Sequence, residues 1–250
     1  MNKSYIPKYT HKFPTNLPHG DKKYTLTYIR RMISEFVYDM GNLENNPFTF
    51  PEVQTLLDGI TVGGHKLSDQ NQILNIKSSW DYVIKLSNKE KLSLNKDTIC
   101  SIHKIVAKDE ALIVGDFRNG NIGIAGTTQY ECIEPTLLND LFVNDINIIN
   151  KITNPLEKAI IINLWLSYCQ FFYDGNKRTA RLTSNLILIS NDIGVLSIPA
   201  KHKQEYNTLM LNFYETLEGD EVIKFLLEKC ITFFDEYNYK SYKELFKNGN

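Results

Sequence analysis

Hydrophobic residues recur along this chain mainly at helical spacing. Apolar positions three and four residues apart alternate with polar ones and predict a series of helices. These helices cover about 21–41, 51–59, 68–84, 96–107, 136–150, 155–170, 182–191, 203–216 and 220–237. The strongly apolar composition of 155–170 is typical of a buried helix. We therefore expect a mainly α-helical protein.

One stretch breaks the helical pattern, at 115–135, where the sequence reads GDFRNGNIGIAGTTQYECIEP. Residues 118–121 are rich in turn-forming types, and Ile122 and Ile124 alternate as strand residues do. The pattern predicts an exposed β-hairpin, or flap, which ends at Pro135. The alternative is a plain connector. Exposed loops on a rigid body often carry binding residues.

The domain organisation follows from the same pattern. Residues 1–20 contain three prolines and predict an extended arm, whereas residues 21–240 predict a single domain. A polar tail is expected at 241–250. We find no internal repeat and no low-complexity linker.

Composition excludes several classes of protein. The net charge is −1 over 250 residues, so we expect neither nucleic acid nor an anionic membrane as a partner. The N-terminal residues lack the apolar core of a signal peptide, and the apolar runs are too short to span a bilayer. The four cysteines show no metal-binding spacing and predict free thiols in a reducing cytoplasm.

The candidate chemistry lies at 170–181, where QFFYDGNKRTAR separates two apolar segments. A turn that opens a helix is an anion site, because free backbone N–H groups and the helix dipole point at the ligand. Arg178 and Arg181 are three residues apart and share one helix face, so both could reach one polyphosphate. The alternative is a solvated loop followed by ordinary surface arginines.

This stretch resembles the signature of the Fic (filamentation induced by cAMP) family, HxFx[DE]GNGRxxR. The segments EVQTLLDGITVGGH, GDFRNGNIGIAGT and GVLSIPAKHKQEYNTLMLNFYETLEG resemble other parts of the family in the same order. The resemblance runs from about 35 to 237. It implies a helical bundle with a β-hairpin flap, which transfers AMP from ATP·Mg²⁺ to a protein hydroxyl. It also implies that the target lies along the flap at Ile122, Gly123 and Ile124.

The resemblance assigns roles to the residues of the turn. Asp174 would bind Mg²⁺, and Gly175 with Asn176 would form an anion hole for the α-phosphate. Arg178 would hold the β-phosphate and Arg181 the γ-phosphate. ATP, or another nucleotide, and Mg²⁺ are therefore the expected ligands.

Two positions depart from the family signature. Gln170 stands where the family has a histidine that deprotonates the target hydroxyl, and a neutral amide does not accept a proton near pH 7. His65 and His202 are distant in sequence and could replace it only if the fold brought them close. Lys177 replaces a glycine and is similar to the lysine of Doc, a family branch that transfers phosphate. It adds positive charge at the nucleotide-binding turn.

A regulatory element is also expected near 30–46. Many family members carry an inhibitory helix with the pattern [ST]xxxE[GN], and Glu44 with Asn45 matches its end, although Met40 replaces the hydroxyl residue. The resemblance implies that Glu44 pairs with Arg181 and competes with ATP. The alternative is a surface carboxylate near a helix end.

We therefore expect a Fic-family nucleotide-binding protein similar to protein adenylyltransferases, with activity that is weak, altered or lost at Gln170. One alternative is an active AMP- or phosphotransferase that works without the histidine. Another is a non-enzymatic module whose flap strand pairs with a partner protein. The sequence does not identify the target protein. Assembly into a homo-oligomer is compatible with it.

Overall fold

The computed structural model describes residues 3–89, 93–127 and 129–246, and helices dominate them. The helices are α1 Lys22–Arg31, α2 Ile33–Leu43, α3 Phe50–Leu57, α4 Leu67–Leu86, α5 Lys96–Val106, α6 Leu138–Asn150, α7 Pro155–Cys169, α8 Asn176–Ser190, α9 Lys203–Thr216, α10 Asp220–Lys229 and α11 Tyr242–Phe246. A small antiparallel sheet has the order β1 Gly194–Leu196, β2 Ile231–Asp235 and β3 Asn238–Ser241. The predicted mainly helical fold with a small β-hairpin is confirmed.

Helices α7 and α8 pack against each other at the centre of the molecule. Asn154 caps the start of α7, because its side-chain oxygen accepts hydrogen bonds from the N–H groups of Leu156 and Glu157. Both helices are buried over most of their length. One apolar cluster joins α7 to α6, α9 and α10, and a second joins α8 to α1–α5. The turn between α7 and α8 is therefore anchored by the core on both sides.

The predicted helix over 220–237 is wrong in its second half. Helix α10 ends at Lys229, and the chain continues as the β2–β3 hairpin, with Glu236 in the left-handed conformation at the turn. Phe233 joins the first apolar cluster and its neighbour Phe234 joins the second. Successive strand residues point to opposite faces, so the two neighbouring rings face different clusters.

The hairpin is absent from the segment where the sequence placed it. Over the described residues 115–127 and 129–135 the chain forms no strand. The side chain of Arg118 instead donates hydrogen bonds to the carbonyl groups of Gly120 and Ile133, at 2.9 and 2.7 Å. A buried guanidinium thus satisfies backbone acceptors that cross-strand pairing would otherwise have to satisfy.

The arm, residues 3–20, runs along the body and contains neither helix nor strand. Of the predicted polar tail, 242–246 form the short helix α11, which packs on the core, and 247–250 lie outside the described residues. Within the part of the chain that the structure describes, no helix is long and apolar enough to cross a membrane.

Candidate functional site

The turn from α7 to α8 depends on two left-handed residues. Gln170 follows the last residue of α7 with φ 47°, and Gly175 precedes α8 with φ 74°. A Cβ atom at Gly175 would lie 2.8 Å from the Cβ atom of Ala107. Position 175 therefore needs glycine both for its backbone conformation and for its close approach to the end of α5.

Asn176 holds this turn in shape. Its side-chain oxygen accepts a hydrogen bond from the N–H of Phe172 at 2.9 Å, and its amide nitrogen donates to the Phe172 carbonyl at 2.8 Å. The same nitrogen donates to the side-chain oxygen of Gln170 at 3.0 Å. The Gln170 amide nitrogen donates to the Ser167 carbonyl at 2.6 Å. Both ends of the Gln170 amide are thus engaged within the turn.

His103, on α5, supports the turn from the interior of the protein. Its ring stacks on Phe172 with centroids 3.7 Å apart. Its Nδ1 atom accepts from the N–H of Gly115, and its Nε2 atom lies 3.0 Å from the carbonyl oxygen of Asp174. Nδ1 is therefore unprotonated and Nε2–H donates, which is the neutral form. Burial lowers the pKa of His103 to about 4.

The sequence alone predicts a structural or surface role for His103 within its helix, and the structure places the side chain fully in the interior. The helical pattern could have distinguished the two, because His103 follows Ile99 by four residues and precedes Val106 by three. Those residues are buried on one face of α5. A polar residue on an apolar face needs specific partners, and here one of them belongs to the candidate site.

Arg118 fastens the 115–135 segment to the same turn. Its Nε atom donates to the carbonyl of Gln170 at 2.7 Å, and its backbone N–H donates to the carbonyl of Phe171 at 2.9 Å. The side chain is almost completely buried. The sequence suggested only a turn at this position and missed its contact with the site, because the partners lie more than fifty residues away.

Asp174 lies at the rim of the site, and its side chain is 57% exposed. One carboxylate oxygen accepts from the N–H of Gly175 at 2.5 Å and lies 3.3 Å from an Nη atom of Arg178. Among the described residues no three His, Cys, Asp or Glu side chains are grouped to hold a metal ion. A single carboxylate is nevertheless enough for Mg²⁺ when phosphates supply further oxygen ligands.

Three cations follow Asp174 on α8, and all three meet carboxylates. Arg178 pairs with Glu110 through both of its Nη atoms. Arg181 donates to Glu44 at 2.8 Å, and the ammonium of Lys177 lies 3.9 Å from the other Glu44 oxygen. Both arginines are buried. The side chain of Lys177 is 37% exposed.

Glu44 is held from two sides. Burial alone would raise its pKa, but the nearby charges of Arg181, Lys177 and Arg178 lower it to about 2. Glu44 is therefore ionised at neutral pH. It directly follows α2, whose end is fixed because Lys203 donates to the Asn42 carbonyl and to the Asn45 side chain.

A cavity of about 390 Å³ opens at the turn. It is lined by Glu44, Gly123, Ile124, Ala125, Gln170, Tyr173, Asp174, Gly175, Asn176, Lys177, Asn207, Met210, Leu211 and Tyr214. Of the three residues predicted to form the flap, Gly123 and Ile124 line the cavity and Ile122 does not. Arg178 and Arg181 are also absent from the lining, and none of the described lining residues is a histidine. Neither His65 nor His202 lines the cavity.

Residues 93–188 match the model of the Fic/DOC family. The chain is a Fic/DOC family protein. The match begins just before α5 and ends within α8, so this Fic domain includes His103, Arg118 and the whole turn. The predicted family membership is confirmed.

Curated relatives of this Fic protein include protein adenylyltransferases. Protein adenylyltransferase fic-1 of Caenorhabditis briggsae is 23% identical over 191 residues, which cover 72% of this chain and 37% of the relative. Protein adenylyltransferase Fic of Drosophila melanogaster is 23% identical over 175 residues, covering 69% and 35%. The chain therefore spans just over a third of the length of these relatives.

Solved structures of Fic proteins share the fold. A Fic domain containing signaling protein from Bacteroides thetaiotaomicron superposes with a TM-score of 0.67 at 19% identity, covering 78% of this chain and 76% of that one. Fic-1 from C. elegans superposes with a TM-score of 0.64 at 21% identity, covering 87% and 63%.

Proposed function

We propose that this Fic protein binds ATP with Mg²⁺ at the start of α8, and that it is a relative of the protein adenylyltransferases with a degenerate catalytic position. One observation carries the proposal. The cavity at the first turn of α8 is lined by a carboxylate, a left-handed glycine, an amide and an ammonium group, at 174–177. This combination suits the phosphates of a nucleotide and one Mg²⁺ ion.

The chain itself supplies the groups that would bind phosphate. The first intrahelical hydrogen bond of α8 runs from the N–H of Thr179 to the carbonyl of Gly175. The N–H groups before Thr179 therefore have no acceptor within the helix, and the positive end of the helix dipole lies beside the cavity. Lys177 adds a full positive charge at the same place.

Asp174 would hold Mg²⁺, which would neutralise phosphate charge when bound. The fit is supported by the exposure of the Asp174 side chain and by its place in the cavity lining. Its hydrogen bond from Gly175 keeps one carboxylate oxygen fixed, and the other oxygen is available to a cation. The acceptor of the AMP group would be a protein, as the names of the relatives suggest, and the resemblance to the family implies a hydroxyl group on it.

Gln170 limits what this site can do. A general base contributes about 10²–10⁴ to the rate of such a transfer, and the amide of Gln170 is neutral and engaged at both ends. The described lining contains no group placed as a substitute base. We therefore expect AMP transfer to be weak, altered or lost, whereas nucleotide binding is retained.

Glu44 would act as an intramolecular competitor of the nucleotide. It lines the cavity and occupies Arg181, the cation that the γ-phosphate would otherwise meet. Because Glu44 stays ionised at neutral pH, the competition does not depend on protonation in that range.

Isothermal titration calorimetry with ATP and Mg²⁺ tests this function. We expect the Glu44→Ala variant to bind ATP about 10–100-fold more tightly than the wild type, since a charge-assisted hydrogen bond is worth about 1.5–3 kcal/mol. Glu35→Ala is the matched control, because Glu35 is an exposed carboxylate on α2, the helix that Glu44 follows. If neither the wild type nor Glu44→Ala binds ATP, the proposal is wrong.

A further inference from the structure

Both Nη atoms of Arg178 have partners inside the protein, whereas its Nε atom is buried without one among the described residues. Its side chain is 2% exposed and it is absent from the cavity lining. One Nη atom contacts Glu110 and also the carbonyl of Val106 at 3.3 Å. The other Nη atom donates to Glu110 at 2.9 Å and lies 3.3 Å from Asp174. A bidentate pair of this kind fixes the direction of the guanidinium.

Glu110 is itself held in place from another element. The side-chain amide of Gln72, on α4, donates to Glu110 at 2.7 Å. The Glu110 N–H donates to the carbonyl of Ala107, at the end of α5, at 3.1 Å. Glu110 therefore links three elements, and Arg178 would have to leave this anchored carboxylate before it could turn to a ligand.

The same group of contacts supports the proposed Mg²⁺ ligand. Ala107 forms the floor under Gly175, and Arg178 contacts the carboxylate of Asp174 from within the molecule. Moving Arg178 or Glu110 would shift both the carboxylate and the glycine turn. Lys177, in contrast, lines the cavity and is partly exposed.

We infer that Arg178 is a positioning residue, which with Glu110 aligns Asp174 and the Gly175 turn, and that Lys177 is the cation of this pair that meets the polyphosphate. The inference rests on the proposed nucleotide function. It changes the assignment that the sequence suggested for Arg178, because the guanidinium acts through Asp174 and does not touch the ligand.

The Glu110→Gln variant separates the two roles by the direction of its effect. If Arg178 were a phosphate ligand restrained by Glu110, removing the charge of Glu110 would release it and tighten ATP binding. If Arg178 is a positioning residue, the variant loosens Asp174 and weakens metal binding. The loss of a partner that orients a metal ligand typically reduces metal affinity about 10–100-fold.

The measurement is Mn²⁺ binding in the presence of ATP, followed by electron paramagnetic resonance, together with ATP affinity by calorimetry. We expect Glu110→Gln to raise the dissociation constant of Mn²⁺ about tenfold. The control is Asp109→Asn, an adjacent exposed carboxylate that contacts Asn75, and it should leave both affinities unchanged. Tighter ATP binding, or unchanged Mn²⁺ binding, in Glu110→Gln would overturn the inference.

Gln72→Ala keeps the experiment interpretable if Glu110→Gln folds poorly. It removes only the brace on Glu110, and we expect a weaker loss of Mn²⁺ affinity in the same direction. An unchanged Mn²⁺ affinity in this variant contradicts the inference. Failure of the wild type and of Glu44→Ala to bind ATP would remove the proposed function and this inference together, whereas tighter binding in Glu110→Gln removes the inference alone.

Discussion

A glutamine at the end of α7 takes part in the architecture of the turn as well as occupying a reactive position. Gln170 accepts from Asn176 and donates to the end of its own helix, while its backbone carbonyl accepts from Arg118. Its left-handed conformation costs a residue with a side chain about 1–3 kcal/mol, and these contacts hold it there. The turn therefore has its shape with a neutral amide, which takes no proton near pH 7, at position 170.

The Gln170→His variant tests this division of labour between binding and proton transfer. In the Glu44→Ala background, we expect it to increase label transfer from α-³²P-ATP to protein about 100-fold, because a positioned imidazole supplies the missing base. Autoradiography of the protein itself provides the measurement. Gln170→Ala is the control, since it also removes the amide contacts. Equal labelling in the two variants would contradict the expectation.

At the residue scale, the sequence predicted residues that line the cavity better than it predicted the partners that fix those side chains in place. Gly175, Asn176 and Lys177 follow from the local motif, because their chemistry depends on the first turn of one helix. The partners of Arg178 could not be predicted in this way. Glu110 lies 68 residues earlier, and only the packing of α4, α5 and α8 brings it to the guanidinium.

At the scale of elements, α5 and the 115–135 segment are joined to the turn by one imidazole. His103 connects Gly115 to Asp174 and stacks on Phe172, so its two ring nitrogens and its face are all used. The pKa of His103 is lowered from 6.5 to about 4 in the folded protein. The unfolded chain therefore binds the proton more tightly, and acid favours unfolding.

This linkage predicts a pH dependence of stability. The contribution of neutral His103 is fully present above pH 6.5 and is lost as the pH falls towards 4. Between pH 7.5 and 5.0 it should lower the free energy of unfolding by about 2 kcal/mol. Urea denaturation of the wild type and of His103→Gln at both pH values measures the difference. The exposed His19→Gln variant is the control, and a His103→Gln protein with the full wild-type dependence would refute the assignment.

Two elements show why the remaining structure was hard to predict. The apolar residues of 220–237 fit helical spacing, but residues 231–233 pair with strand β1 at 194–196, which no local pattern shows. The predicted strands of 115–135 have a suitable alternation, yet Arg118 takes the carbonyls that a ladder would need. Both outcomes depend on contacts between distant parts of the chain.

At the scale of the whole molecule, the arm binds helices that lie far apart in the sequence. The backbone of Thr10 and His11 donates to Asp220, the side chain of Tyr9 donates to Glu157 at 2.7 Å, and Tyr5 donates its N–H to Asp145. Helices α6, α7 and α10 thus share one strap of extended chain.

Asp145, on α6, is the buried residue that the arm contacts through Tyr5. Its carboxylate accepts from the indole nitrogen of Trp165 at 3.0 Å as well as from Tyr5. In Asp145→Ala the indole N–H loses its partner in the interior, so we expect the free energy of unfolding to fall by about 2–3 kcal/mol. Urea denaturation provides the value. Asp140→Ala, an exposed carboxylate on the same helix, should change it by less than about 0.5 kcal/mol.

The long reach of the arm also determines the order in which the molecule can be completed. Lys8 pairs with Glu218, and Thr10 bonds to Asp220, across separations of 210 residues. Gly20 meets Glu236, in the turn of the hairpin. During synthesis the arm leaves the ribosome long before these partners exist, while the α7–α8 pair can already pack. The arm therefore docks only after the segment with Glu218 and Asp220 and the β2–β3 hairpin have been synthesised.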